Sequence, residues 1–206
     1  MLERADPGTP ASALVPADDA AATAAIVGVA RRLHRPPPAG HGLPHLADKG
    51  RAFVDYLRGF PGDGPLPRDL VERAAATFAD LLATAPPDML LHGDLHHDNV
   101  LRADREPWLA IDPHGLVGDP GYEAGALLYN PDPDDTDDGL LSLVLPRVEV
   151  VAHGLELSAD RVAAWGFVKA VLSQVWTVED GGRPGGRPLA VARLLATHLR
   201  CDQIGA

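Results

Sequence analysis

Between Met89 and Pro113 the helical periodicity that runs through the rest of the sequence stops. Met89-Leu90-Leu91 and Trp108-Leu109-Ala110-Ile111 are short apolar runs, Val100-Leu101 lies between them, and polar turns bound each, which is the pattern of short strands. On either side apolar residues recur at i, i+3 and i+4. Asp18 and Asp19 open an Ala-rich helix that runs to about Arg35, with Arg31, Arg32 and Arg35 where positive charge is favoured and Pro36-Pro37-Pro38 as its stop. A second helix is predicted over Leu46 to Leu57. A third, Arg68 to Thr84, has a stripe of Leu70, Val71, Ala74, Phe78, Leu81 and Leu82. After the strand island, helices are predicted over Gly121 to Tyr129, over Asp138 to Leu157 with a bend at Pro146, from the N-cap Ser158 to about Val178, and over Leu189 to Arg200. Residues 5–17, 36–45 and 181–186 read as loops. The expected architecture is α+β and mainly helical, with a small β-hairpin in its middle.

The polar residues that could do chemistry lie on that island, in His92-Gly93-Asp94-Leu95-His96-His97-Asp98-Asn99 and in Asp112-Pro113. Phosphoryl transfer from ATP needs a carboxylate to orient the acceptor hydroxyl and take its proton, and oxygen ligands to hold magnesium on the phosphates. Asp94 follows a strand, where a loop can aim it into a cleft. Asn99 lies five residues on, and Asp112 ends the next strand. Antiparallel pairing through a turn at Ala103 to Glu106 brings Asn99 and Asp112 together, and Gly93 lets the backbone pass tightly beside Asp94. A rival reading takes His92, Asp94, His96, His97, Asp98 and His114 as a metal cluster that activates water, which would make the protein a hydrolase.

Charge sorts the partners. Eighteen basic against 29 acidic residues leave a net charge of −11. That disfavours nucleic acid and suits a cationic small molecule, although an acidic surface also serves solubility. No apolar run approaches the roughly 18 residues of a membrane span, no basic-then-apolar signal opens the chain, and a cytoplasmic location follows. The single cysteine, Cys201, excludes an internal disulfide.

His-Gly-Asp-x-x-x-x-Asn followed by a strand ending in Asp resembles the catalytic and metal loops of the aminoglycoside phosphotransferases, relatives of the protein kinases. The longer string Leu91 to Asn99, then Trp108 to Pro113 with Gly115, Gly118-Asp119-Pro120 to Asn130-Pro131, and Trp165 through Val171-Leu172-Ser173 to Trp176 and Glu179-Asp180, is similar to the streptomycin 6-kinase and hydroxyurea-resistance branch. The resemblance implies a protein-kinase-like fold, ATP and Mg²⁺ as cofactors, and transfer to an alcohol group of an aminoglycoside such as streptomycin. It implies Asp94 as catalytic base and Asn99 and Asp112 as magnesium ligands. Asp119 and Glu123 fall where relatives carry acidic groups, either binding substrate cations or capping and orienting the catalytic loop. His92 is expected to steady the loop, with His96 and His97 at its rim or facing solvent. Trp165 and Trp176 share a side of one helix and are expected in the core.

Met1-Leu2-Glu3-Arg4 resembles the hinge strand that lines the adenine site, which puts Glu3 and Arg4 there. The expected division is hinge and linker over 1–17 and a kinase-like C-lobe over 18–206. The chain's two lysines, Lys49 and Lys169, both fall on predicted helices, and no Gly-x-Gly-x-x-Gly precedes a strand lysine. An N-lobe is therefore expected to be missing, with weak nucleotide binding by this chain alone. The alternative to an enzyme is an inactive remnant or ligand-binding fragment.

Overall fold

The computed structural model describes residues 4–15, 17–134 and 139–201, with the side chains of residues 200 and 201 outside that description. Among the described residues there are seven α-helices, α1 Asp19–Leu33, α2 Arg51–Gly59, α3 Arg68–Ala83, α4 Ala124–Tyr129, α5 Val144–Leu155, α6 Ala159–Glu179 and α7 Gly186–Cys201, and five short strands in two sheets, β1 Pro7–Pro10, β2 Met89–Leu91, β3 Val100–Ala103, β4 Trp108–Ala110 and β5 Leu116–Gly118.

The caps explain where helices begin. The Asp18 carboxylate accepts the Ala21 N–H at 2.9 Å to start α1, and the Ser158 hydroxyl accepts the Arg161 N–H at 3.2 Å to start α6. α1 ends at Leu33, because a residue before proline avoids the helical region. The helix expected from Leu46 splits in two: a 3₁₀ turn, Leu46–Gly50, whose Ala47 N–H donates to the His45 ring, leads into α2. In the expected 138–157 helix, Asp138 lies outside the described residues. A 3₁₀ turn over Leu140–Leu143 leads into α5, where Pro146 sits in the first turn, a place that needs no N–H. The helix expected from Gly121 is likewise a 3₁₀ turn, Pro120–Glu123, followed by α4.

α6 is the axis of the molecule. It packs against α2, α3, α4, α5 and α7 and is buried on nearly every side from Val162 to Val175, as expected of a helix apolar all round. Along the third helix Val71, Ala74, Phe78 and Leu81 are buried, while Leu70 and Leu82 pack at the edge of the core.

Two strands were not foreseen. β1 joins β3 and β4 in an antiparallel sheet of order β1-β3-β4, and β5 pairs with β2, Leu91 opposite Leu116. β1 reads Pro-Gly-Thr-Pro, a loop composition that only an edge strand tolerates, and β5 has three residues, too few to display alternation. The expected β3/β4 hairpin is present, with Val100 opposite Ala110.

Candidate active site

β2 and β5 deliver the central loop. Gly93 has φ +88°, and a Cβ there would come within 3.0 Å of the Leu116 side chain and 3.2 Å of His114, so only glycine fits. Gly93, the residue before Asp94, is gripped at both ends: its N–H donates to Glu123 Oε1 at 2.8 Å, and its carbonyl accepts from Lys169 Nζ at 2.8 Å. Asn99 Nδ2 donates to the Asp94 carbonyl at 2.9 Å, closing the loop across five residues. His92 lies beneath it. Its Nε2 donates to the Ile111 carbonyl at 2.8 Å, its Nδ1 accepts the Asp94 N–H at 3.3 Å, and its own carbonyl accepts from His114 and Gly115. Burial pushes the His92 ring below its ordinary pKa, which keeps it neutral, the form both bonds need.

The Asp94 carboxylate faces a cleft of about 420 Å³ whose walls include His96, Tyr129, Asn130, Lys169 and Trp176. Lys169 Nζ stands 3.7 Å from its Oδ1 and His96 Nε2 stands 3.7 Å from its Oδ2. Burial lowers the pKa of His96, opposed by the carboxylates of Asp94, Asp98 and Asp112. The Ile111 N–H donates to the Asn99 carbonyl at 2.9 Å, so Asn99 and the residue before Asp112 are neighbours across the hairpin. Asp112 is exposed, with a left-handed φ of 57°, a conformation Asp tolerates. Asn99 engages Asp94 through its amide nitrogen and keeps its amide oxygen for another partner. An amide and a carboxylate oxygen at the adjoining ends of the β3/β4 hairpin are the donor types a hard cation such as magnesium takes.

Asp119 and Glu123 face inward, and their geometry is that of cap and clamp rather than cleft wall. Asp119 is fully buried. It accepts from the Gly121 N–H and from Trp165 Nε1, each at 2.8 Å, and pairs with Arg161, which also donates to Leu81 and Thr84. Glu123 holds the Gly93 N–H, and burial lifts its carboxyl to about 7 against the pull of that bond and of Lys169.

Other expectations meet corrections. His97, expected at the rim or in solvent, is completely buried. Burial, with Arg147 next in effect, pushes its pKa down to about 2, so it stays neutral. With His92 committed to Ile111 and His97 inside, the dense His/Asp string does not present a shared metal face, and among the described residues no group of three His, Cys, Asp or Glu side chains could hold a metal. Trp165 is in the core as expected, edge-on to Phe78 and Tyr122. Trp176 is half-buried and lines the cleft instead. Glu3 lies outside the described residues, and Arg4 is exposed on the coil leading to β1.

Reading the sequence for chemistry missed Lys169 and Ser12. Ser12 donates to Asp98 at 2.6 Å, tying the segment after β1 to the loop. Nothing in a Pro/Ala-rich stretch signals it. Lys169 did leave a signal, a lone charge inside the apolar run Phe167 to Leu172, where an unpaired ammonium would be costly.

Comparison with known proteins agrees with this arrangement. The family described as aminoglycoside/hydroxyurea antibiotic resistance kinase matches residues 1–181. Streptomycin 6-kinase of Streptomyces griseus is 36% identical over 184 residues, which are 88% of this chain and 59% of that protein. Hydroxyurea phosphotransferase of Kitasatospora aureofaciens is 38% identical over 183 residues, 88% of this chain and 51% of that protein. The chain thus spans between half and three fifths of the length of these relatives. In fold it resembles choline kinase LicA from Streptococcus pneumoniae, with a TM-score of 0.59 at 13% identity over 94% of this chain and 66% of that one. It also resembles a choline/ethanolamine kinase family protein from Mesorhizobium loti, with a TM-score of 0.56 at 17% identity over 97% and 66%. The helical body and its strand island are therefore kinase-like, and the chain belongs to the aminoglycoside/hydroxyurea antibiotic resistance kinase family.

Proposed function

We propose that this chain carries the catalytic lobe of an ATP- and magnesium-dependent phosphotransferase that acts on a hydroxyl of a small cationic molecule of the aminoglycoside type, streptomycin being the first to test. The observation that carries the reading is the mounting of Asp94. The preceding Gly93 is held by Glu123 and Lys169, the Asp94 carbonyl by Asn99, and the Asp94 carboxylate opens on a cleft of small-molecule size. In this reading Asp94 accepts the acceptor's proton as the hydroxyl oxygen attacks phosphorus. Asn99 and Asp112 would hold magnesium, which would supply neutralisation of charge on the phosphates. Glu123 and Lys169 keep Asp94 oriented, and the walls around Trp176 shield the hydroxyl from water. Streptomycin is what three relatives of this chain are named for, and an acidic protein suits its guanidinium groups. An enzyme that consumes ATP works where ATP is held, in the cytoplasm. In keeping with that, no helix among the described residues is long and apolar enough to cross a membrane.

The test is transfer of labelled γ-phosphate from ATP to streptomycin by the protein expressed with whatever residues its gene encodes upstream of Met1. Asp94→Ala should lower kcat by about 10²–10⁴-fold, the contribution of a positioned general base, with the melting temperature unchanged. Turnover within a few-fold of the parent would remove Asp94 from the role.

A further inference from the structure

The two lysines of this sequence lie 120 positions apart, yet both ammonium groups end against one indole. Lys49 Nζ is 5.2 Å and Lys169 Nζ 5.6 Å from the centre of the Trp176 ring. Lys169 is almost wholly buried and its three N–H groups can be counted. One donates to the Gly93 carbonyl, one to the Tyr122 hydroxyl at 3.0 Å, and the third points towards Asp94 Oδ1 across 3.7 Å, too far for a hydrogen bond. That third N–H opens on the cleft, which both Asp94 and Lys169 line. α6 approaches α4 closely enough here that a Cβ on Gly125 would collide with the Lys169 side chain, so the lysine is fixed from below. Lys49, on the 3₁₀ turn before α2, is half-buried; burial first and Lys169 second press its pKa downwards, while Asp94 raises it.

A counter-ion for Asp94 alone would need one cation. The cleft is lined by Lys169 together with Asp94 and Asp98, and Lys49 stands against the Trp176 ring, so two cations lie close to the atom that would take the acceptor's proton and Lys169 is the one that reaches the cleft. From this geometry we infer that Lys169 and Lys49 form an anion subsite that receives the transferred phosphoryl group, Lys169 giving its third N–H to a phosphoryl oxygen and Lys49 adding charge across the Trp176 ring. The inference rests on the kinase reading above. In the step it describes, the acceptor oxygen forms a bond to phosphorus as the bond to ADP breaks, the acceptor's proton goes to Asp94, and neither lysine changes protonation. The subsite offsets the repulsion between the incoming phosphoryl group and the Asp94 carboxylate before that carboxylate takes the proton. A guanidinium or ammonium cannot share that space, so a cationic acceptor enters hydroxyl first with its charges outward.

The probe is inorganic phosphate, titrated into the full chain and followed by ³¹P line width and tryptophan fluorescence. Lys169→Met should weaken phosphate binding by about tenfold or more, the worth of a charge-assisted hydrogen bond. Lys49→Met should weaken it less. Asp94→Asn should tighten it, because it removes a negative neighbour, an effect that a purely structural lysine does not predict. Phosphate affinity unchanged within about twofold in Lys169→Met, or not tightened in Asp94→Asn, overturns the subsite. If Lys169→Met fails to fold by circular dichroism, Lys49→Met and Asp94→Asn decide the matter by the same criteria. The kinase reading is judged separately by streptomycin phosphorylation. Transfer without these phosphate effects sinks the subsite and leaves the function, and phosphate effects without transfer do the reverse.

Discussion

A carboxyl with no route to water holds its proton longer than one in solution, and Glu123 is such a group. In the unfolded chain it ionises near 4.5; in the folded protein burial holds it protonated to about 7. Between those values the folded state carries the extra proton. This site therefore favours folding fully below about 4.5 and progressively less as pH rises to about 7, beyond which the penalty is constant. Glu123→Gln keeps an oxygen for the Gly93 N–H and removes the titration. Melting temperatures of parent and variant, compared from pH 5 to 7.5, should diverge in the variant's favour as pH rises. Parallel curves would show that Glu123 is not protonated in the folded protein. The same residue shows where reading a sequence stops. Asp119, Glu123 and Lys169 are visible as charges in apolar surroundings, but whether each points at a ligand or at a backbone amide depends on which loop the fold lays against it.

At the scale of elements, α6 explains more of the site than the loop itself does. Arg161, Trp165 and Lys169 follow one another at i+4, one line along the helix. The first two hold Asp119 and the third holds Gly93. Asp119 thus ties α6 and α3 to the entry of α4 through Arg161. Asp119→Ala should destabilise the protein by about 3–5 kcal/mol, the range for breaking a buried pair, since it strands Arg161. In the active enzyme the KM for the acceptor should stay within a few-fold of the parent. A stable variant with a greatly raised KM would instead make Asp119 a substrate ligand. The helices and the β3/β4 hairpin were legible because apolar period and capping residues are local signals. β1 and β5 were not, since each exists only through its partner strand: Pro7–Pro10 borrows its conformation from β3, and Leu116–Gly118 from β2. Asp94, Asn99 and Asp112 could be picked out because their spacing is set by one loop and one hairpin. Lys169, 75 residues past Asp94, could not be assigned without the packing of α6.

At the scale of the whole molecule, acidic residues outnumber basic ones, and the cleft itself sets Lys169 beside Asp94 and Asp98. With a net charge of −11, the protein should draw in a positively charged acceptor over distances that salt shortens, the screening length falling from about 30 Å at 0.01 M to about 8 Å at 0.15 M. The KM for streptomycin should therefore rise several-fold across that range of ionic strength, while the KM for uncharged hydroxyurea should not. Equal salt responses would argue against steering and for an uncharged natural acceptor.

The spacing along α6 also limits how this protein can change over time. A helix advances about 100° per residue, so one codon inserted between Arg161 and Lys169 would leave the helix intact yet swing the lysine away from Gly93, Tyr122 and the cleft. Substitutions on α6 can be absorbed one at a time, whereas a change in its length cannot. Among descendants of this gene, insertions and deletions should accumulate in the loops at either end of the helix and spare the nine residues from Arg161 to Lys169 that measure the distance from Asp119 to Gly93.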